Sequence, residues 1–309
     1  MDGNSRAPIR VICGPTAAGK TAAATWFARL ADISVVSADS RQLYTGFDVG
    51  TAKPTVRDRL ATPYYAIDVL APTERASSAW WAGRADAWID DIVAAGRTPL
   101  VVGGTGLYLR ALFGALFEEP AIDEARRIDL QGSLAAFPLD ELRRWVTVLD
   151  PRRAQLGRTQ LLRAIEIALL TGHRVSDLHR ERARPPRRRA RYLVVDPGPS
   201  LAHFIEERTC FMLSSGWPEE VGGLMRAVPQ DAPAWNASGY RAVRASVRGE
   251  ISFAEAQQRV IVETRQYAKR QRTWFRHQLE GEDVTRLDAH APDWAERATA
   301  WWNEGETVG

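Results

Sequence analysis

Ile9-Arg10-Val11-Ile12-Cys13, followed at once by Gly14-Pro15-Thr16-Ala17-Ala18-Gly19-Lys20-Thr21, is the stretch on which the fold turns. Its first half is an apolar run of strand length. Its second half matches G-x-x-x-x-G-K-[ST], and an Ala-rich segment from Thr21 to Leu30 follows with helical character. Strand, glycine loop, helix is the context in which this motif binds phosphate. The glycines let the backbone curl until its N–H groups face one point, and the helix N-terminus adds its positive end. Lys20 supplies a cation. Thr21 supplies a hydroxyl for a phosphate oxygen or a Mg²⁺ ion. The predicted diphosphate- or triphosphate-binding residues are therefore Gly14, Pro15, Thr16, Ala17, Ala18, Gly19, Lys20 and Thr21. The loop does not name the reaction. Phosphoryl transfer is its commonest use and calls for a second acid at the end of an apolar strand. Asp39, after Val35-Val36-Ser37-Ala38, is the nearest candidate. The residues alone leave two classes open: a kinase-like phosphoryl transferase, or an enzyme whose cradle holds a departing diphosphate.

Outward from the loop, the same order repeats. A second strand fits Ile33 to Ser37. A third, Pro99 to Val102, ends in Gly103-Gly104-Thr105-Gly106 and passes into a helix around Leu107 to Leu116. Arg191 to Asp196 is another strand candidate. Repeated strand–turn–helix units predict an α/β fold with a parallel sheet and ligands at the strand carboxyl ends. Between about 118 and 190 no clear strand occurs. Leu139, Leu142, Val146 and Leu149, then Leu161, Leu162, Ile165 and Leu169, recur at helical spacing. The expectation is a P-loop NTPase-like parallel-sheet core (residues 1–117 and 191–309) carrying a helical insertion domain (residues 118–190). Beyond Gly281 the tail is acidic and predicts only a terminal helix around Trp294 to Trp302.

Composition bounds the function. The chain has 309 residues, 45% apolar and 26% charged, which suits a sizeable core and excludes global disorder. No apolar run approaches the ~20 residues of a membrane span. Two cysteines, Cys13 and Cys210, exclude a disulfide scaffold and fit a reducing cytosol, so a cytoplasmic location is expected. The net charge is +3, unevenly placed. Residues 1–120 hold 12 Lys/Arg and 12 Asp/Glu, whereas residues 174–191 hold eight Arg against two acids and residues 239–277 hold nine Lys/Arg against three. Such clusters suit a polyanionic partner, because neutralising phosphates releases condensed counterions. A solvated helix face is the plainer reading of either cluster alone.

A second set of motifs narrows the choice. Asp39-Ser40-Arg41-Gln42-Leu43-Tyr44, Asp48-Val49-Gly50-Thr51-Ala52-Lys53-Pro54 and Val102-Gly103-Gly104-Thr105-Gly106-Leu107-Tyr108 stand beside the phosphate loop. Later come Arg163-Ala164-Ile165-Glu166-Ile167, Arg208, Gly216-Trp217, Gly239-Tyr240-Arg241 and Gln266 to Arg276. Together they closely resemble the tRNA dimethylallyltransferase (tRNA isopentenyltransferase) family, in family order from residue 11 to about 277. The resemblance implies a reaction: the dimethylallyl group of dimethylallyl diphosphate moves to the exocyclic amine of the adenosine just 3′ of a tRNA anticodon. It implies Asp39 as general base, which suits an amine whose lone pair is delocalised into the ring. Lys20, Thr21, Arg208 and a Mg²⁺ ion held at Thr21 then stabilise the leaving diphosphate.

The resemblance also implies contacts to the anticodon stem-loop by Asp39, Ser40, Arg41, Gln42, Thr105, Thr159, Gln160, Leu161, Leu162, Arg163, Asn236, Gly239, Tyr240 and Arg241. A base acted on chemically is unstacked and held in a pocket. Tyr240 with Arg241, and Trp274 with Phe275 and Arg276, are candidate stacking surfaces. A monomer is expected. This chain departs from the family in three places. Pro63-Tyr64-Tyr65 stands where a His pair is usual, Gln155 to Thr159 is shortened, and Phe204 replaces an Arg four residues before Arg208. The eukaryotic C-terminal zinc finger has no counterpart, so a bacterial type is implied. Two other readings compete: a cytokinin-type adenylate isopentenyltransferase and a P-loop phosphoryl transferase.

Overall fold

Val11, Ile12, Ile33, Val35, Val36, Leu100 and Val101 are almost wholly buried, as strands covered by helices on both faces must be. The computed structural model describes residues 7–114, 120, 122–181, 186 and 188–304. Six strands form one parallel sheet: β1 (Ile9–Cys13), β2 (Ile33–Ser37), β3 (Tyr64–Tyr65), β4 (Thr98–Gly103), β5 (Ala190–Val195) and β6 (Val284–Leu287). Their order is β3-β2-β4-β1-β5-β6. From β1 the chain runs outward to β2 and β3, returns to β4, then crosses to β5 on the other side. β1 is therefore the switch point, and the loop that follows it opens at the carboxyl edge where ligands bind in such sheets.

Two of these strands escape a reading of the sequence. β3 is only two residues at the sheet edge, pairing Tyr64 with Val35, and is too short to show alternation. β6 is an edge strand with only Leu287 buried, so its signal is lost in an acidic tail. The tail is also structurally committed. Its helix Trp294–Asn303 lays Trp302 on Phe27, centroids 4.6 Å apart and stacked, and the Arg10 guanidinium lies over the Trp302 ring while donating to its carbonyl at 2.8 Å. The helix after the phosphate loop runs Lys20–Phe27, and the one after β4 runs Gly106–Phe113. Leu116, and the expected domain boundary at 117 and 118, lie outside the described residues.

The chain divides into two compact units, Met1–Phe113 with Arg187–Gly309, and Gly114–Pro186. The second unit holds four helices among the described residues, Glu124–Leu134, Leu139–Leu149, Arg158–Thr171 and Val175–Glu181. Leu142, Val146, Leu161, Ile165 and Leu178 form its core. Glu166 is buried there, and its charge is met by Arg163 at 2.9 Å, Arg127 at 3.5 Å and the Gln131 amide at 2.6 Å.

The basic stretch 174–191 is partly spent on the protein itself. Arg182, Arg184 and Arg187 lie outside the described residues. Arg188 is buried between Asp86 and Asp90 of the Ser78–Ala94 helix, Arg180 pairs with Asp177, and Arg191 pairs with Glu304. Among the described residues no helix is long and apolar enough to cross a membrane. Cys13 is buried in β1, where burial pushes its thiol up to about 12, while Cys210 is exposed on the Leu201–Ser214 helix.

Candidate active site

The phosphate loop is held from below. Gly14 has φ +144°, and a Cβ there would lie 2.1 Å from the Val195 carbonyl oxygen, so only glycine lets the loop turn off β1 against the end of β5. Gln271, on the long Phe253–Gln278 helix, accepts the Thr16 N–H at 2.8 Å and donates to the Gly104 carbonyl at 2.9 Å. One amide thus ties the loop to the glycine turn after β4. Lys20 Nζ donates to the Pro15 carbonyl at 2.6 Å, which curls the loop around its own cation.

Two cations converge on this cradle. Arg208, from the Leu201–Ser214 helix, reaches the Thr16 hydroxyl at 3.2 Å. Burial lowers the Lys20 ammonium to about 8, with nearby Asp39 opposing the shift and Arg208 adding to it. Arg208 is likewise lowered by burial and supported by Asp39. Two positive groups are therefore held partly out of water with one carboxylate nearby, an arrangement that an incoming polyanion relieves.

Asp39 stands at the carboxyl end of β2. Its Oδ1 accepts the Arg41 N–H at 2.9 Å, which fixes the carboxylate. The turn is clamped to the end of β4: the Thr105 N–H donates to the Ala38 carbonyl at 3.0 Å, and the Thr105 hydroxyl accepts the Ser40 N–H at 3.1 Å. Tyr267 shares a side-chain hydrogen bond with Thr105, and its hydroxyl is pushed up to about 12, chiefly by burial. Gln42 accepts from the Ser37 hydroxyl at 2.9 Å and donates to the carbonyls of Thr51 and Ala52, both at 3.3 Å.

Asp39 borders two cavities. The larger, about 910 Å³, is lined by the phosphate loop from Thr16 to Thr21, by Arg208, and by apolar surface from Val49, Val56, Phe211 and Met212. The smaller, about 60 Å³, adjoins it at the carboxylate and is lined by Arg41, Thr51, Trp217, Ser238, Thr264 and Tyr267. Thr16, Ala17, Arg208 and Met212 border both. The wall between them includes the Gly50-to-Pro54 segment, pinned by Lys53. That buried ammonium donates to the Tyr44 carbonyl at 2.6 Å, to Asp48 at 2.7 Å and to Asp68 at 2.5 Å, and Asp68 also takes Arg59 at 2.6 Å.

The sequence-predicted residues separate into three groups. Gly14 to Thr21, Asp39, Arg41, Gln42 and Arg208 come together around these cavities, and Ser40 and Thr105 brace them. Asn236 and Arg241 are exposed and hydrogen-bonded to each other, near the turn that carries Ser238. Thr159, Gln160, Leu161, Leu162 and Arg163 open the Arg158–Thr171 helix of the second unit. There Gln160 caps the Gly157 N–H and Leu161 is fully buried in the core, so its side chain offers no surface for a base.

Tyr240 needs the same correction. It is fully buried among Phe47, Trp217 and Trp235, and its hydroxyl donates to Glu220 at 2.7 Å; it is a core residue, not a stacking platform. Gly239 is buried too, and its N–H donates to Glu263 at 3.1 Å. Phe275 is buried, and Trp274 packs against Gly106. Gln271 and Glu220 fall in stretches that match the family, but the sequence assigned them no role. Glu220 accepts the N–H groups of Asp48 and Val49 at 2.9 and 2.7 Å, which fixes the loop ahead of Lys53. Their signal, a lone amide or acid within a helix, is one that solvent-facing residues share.

With this geometry in hand, the comparison with known families is decisive. The IPP transferase family model matches residues 42–278, and the isopentenyl transferase model matches residues 7–64.

The chain belongs to the IPP transferase family.

Its relatives are similar along nearly their whole lengths. A tRNA dimethylallyltransferase of a Cyanothece species is 37% identical over 297 residues, covering 93% of this chain and 97% of the relative. One from Gloeobacter violaceus is 42% identical over 292 residues, covering 92% and 93%. The solved tRNA isopentenylpyrophosphate transferase of Bacillus halodurans is 27% identical, covers 98% of this chain and 99% of its own, and superposes with a TM-score of 0.67. Within the family, the parallel sheet and the phosphate loop after its switch strand are the frame on which the described side chains sit.

Proposed function

We propose that this chain transfers the dimethylallyl group of dimethylallyl diphosphate to the exocyclic amine of the adenosine 3′ to a tRNA anticodon, releasing diphosphate. One observation carries the reading: Asp39 stands where a phosphate-binding cavity with an apolar wall meets a second, separate cavity. A donor with a charged head and a five-carbon tail suits the first. The acceptor base approaches from the second, past Arg41 and Tyr267. The new C–N bond forms at the allylic carbon as the C–O bond to diphosphate breaks. Asp39 takes the proton that the amine loses, with its carboxylate aimed by the Arg41 N–H. The loop N–H groups, Lys20 and Arg208 receive the growing charge of the leaving group.

Mg²⁺ fits this site. Thr21 lines the larger cavity, and among the described residues its hydroxyl has no hydrogen-bond partner. Bound there beside Thr21, the ion supplies further positive charge toward the diphosphate. One chain carries both cavities, so the reading asks for no second copy and takes the monomer as the working unit. Two unpaired cysteines and a tRNA acceptor support a cytoplasmic setting for the reaction.

The test incubates the protein with labelled dimethylallyl diphosphate and either an unmodified anticodon stem-loop or AMP. Label on the stem-loop is expected. Label on AMP alone establishes the free-nucleotide enzyme instead. Nucleotide triphosphate turnover without label transfer establishes the phosphoryl transferase.

A further inference from the structure

Of the titratable groups on the larger cavity that the mechanism above does not use, Asp48, Lys53, Arg59 and Asp68 are paired with one another, and His290 stands apart from them beside the phosphate loop. His290 follows β6 in the turn that closes over the phosphate loop, where Asp288 Oδ1 accepts the His290 N–H at 2.9 Å and fixes the turn. The imidazole is stacked on Phe204, with ring centroids 3.8 Å apart and planes 14° from parallel. On the loop side, a Cβ built on Gly19 would lie 3.7 Å from His290 Nε2 and 3.0 Å from the Ala289 Cβ. Both His290 and Phe204 border the cavity that Lys20, Thr21 and Arg208 line.

Phe204 lies four residues before Arg208 on one helix, so the two side chains share a face. It also stands where the family resemblance calls for an arginine. A phenyl ring cannot bind phosphate, but it offers a flat face that holds an imidazole in one plane. The helix thus lacks a cation at the point where the tail delivers a ring nitrogen to the same cavity. His290 also lies beyond residue 278, where the family match ends.

We infer that His290 is a diphosphate-binding residue of this chain, its Nε2 aimed by the Phe204 stack at the leaving group of the donor. The inference rests on the proposed donor chemistry and adds a donor group to it. Nε2–H donates to a terminal phosphate oxygen beside the helix that carries Arg208, so the anion is gripped by loop, helix and tail together. In this way the acidic, Trp-bearing tail becomes part of the donor site.

The experiment uses the full chain and two readouts. One is the affinity for inorganic pyrophosphate with Mg²⁺, measured by titration calorimetry. The other is steady-state transfer from dimethylallyl diphosphate to the stem-loop. His290→Ala is expected to weaken pyrophosphate binding and raise the donor KM by about 10–100-fold, the size of one hydrogen bond to a charged group. Its stem-loop affinity stays at the wild-type level, and kcat falls to the extent that the contact strengthens as charge grows on the leaving diphosphate. His290→Gln keeps an N–H at similar reach and restores most of the loss. Phe204→Leu removes the stack but leaves the imidazole, and loses about 3-fold as the ring turns free.

Pyrophosphate affinity unchanged in His290→Ala overturns the inference. So does a Gln variant as weak as Ala, which would make the effect one of shape. If wild type binds pyrophosphate yet labels no tRNA, the proposed function falls instead, and His290 is judged on pyrophosphate affinity alone.

Discussion

The two sides of Asp39 are built in different ways. The donor side is made mostly of backbone, pinned before any ligand arrives. Gly14 wedges the loop against β5, Gln271 ties Thr16 to Gly104, and Lys20 is folded onto Pro15. The acceptor side is made of side chains. Its cavity of about 60 Å³ has room for a handful of waters; Arg41 lines it, Arg270 lies over the Tyr267 ring that also lines it, and the exposed Arg241 follows the Ala237–Ser238 turn on its wall. The difference teaches where each kind of recognition is stored. A diphosphate has one shape and a fixed charge, so a rigid nest of N–H groups is worth its entropy in advance. A base flipped from an RNA loop is large and mobile, and side chains that rearrange accommodate it.

The largest test of that division is Asp39→Asn, at the boundary. Loss of the general base is expected to cut kcat by about 10²–10⁴-fold while donor KM changes little. A variant that turns over like wild type removes Asp39 from proton transfer and leaves the two cavities without a common chemistry.

Next in size is rigidity itself. Gln271→Leu leaves the Thr16 N–H and the Gly104 carbonyl unpaired and is expected to lower unfolding free energy by about 1–3 kcal/mol, read by urea denaturation. Tyr267→Phe, which removes a single hydrogen bond to Thr105 on the acceptor side, is expected to cost only about 0.5–1.5 kcal/mol. Equal losses would erase the contrast.

The donor side also carries a pH signature. In the free protein burial holds the Lys20 ammonium near 8, so the charged form predominates below that pH and the neutral form above it. The donor kcat/KM, which reports the free enzyme, is expected to fall by up to about 10-fold per pH unit above pH 8. A flat profile from pH 7 to about 9.5 contradicts the buried-lysine account.

The smallest single effects belong to the acceptor rim. Replacing Arg41, Arg241 and Arg270 together by Gln is expected to weaken stem-loop binding and flatten the slope of log K against log salt by about 2–3, on the basis of one phosphate per arginine. An unchanged slope makes them a solvated face.

The donor side was legible in the sequence because its function requires particular residue types at fixed spacing. Gly14 and Lys20 are dictated by backbone geometry and charge, and β1, β2 and β4 by apolar runs buried on both faces. The rest was hidden for physical reasons. Tyr240 sits in a distinctive motif, but whether an aromatic faces solvent or core depends on the Phe47 and Trp235 it meets in three dimensions. Gln271 looks like any polar helix residue until the helix is docked on the loop. Phe204 reads as a mere departure until His290, far along the chain, is found against it. β6 is an edge strand whose four residues bury one side chain.

One last consequence concerns the two thiols. Cys13 lies under the phosphate loop in β1, where its sulfur stays protonated and shielded, whereas Cys210 is open to solvent two residues beyond Arg208. A maleimide dye therefore attaches at one natural point on the native chain. The fluorophore would sit on the helix that carries Arg208, turning the unmutated enzyme into its own reporter of donor arrival.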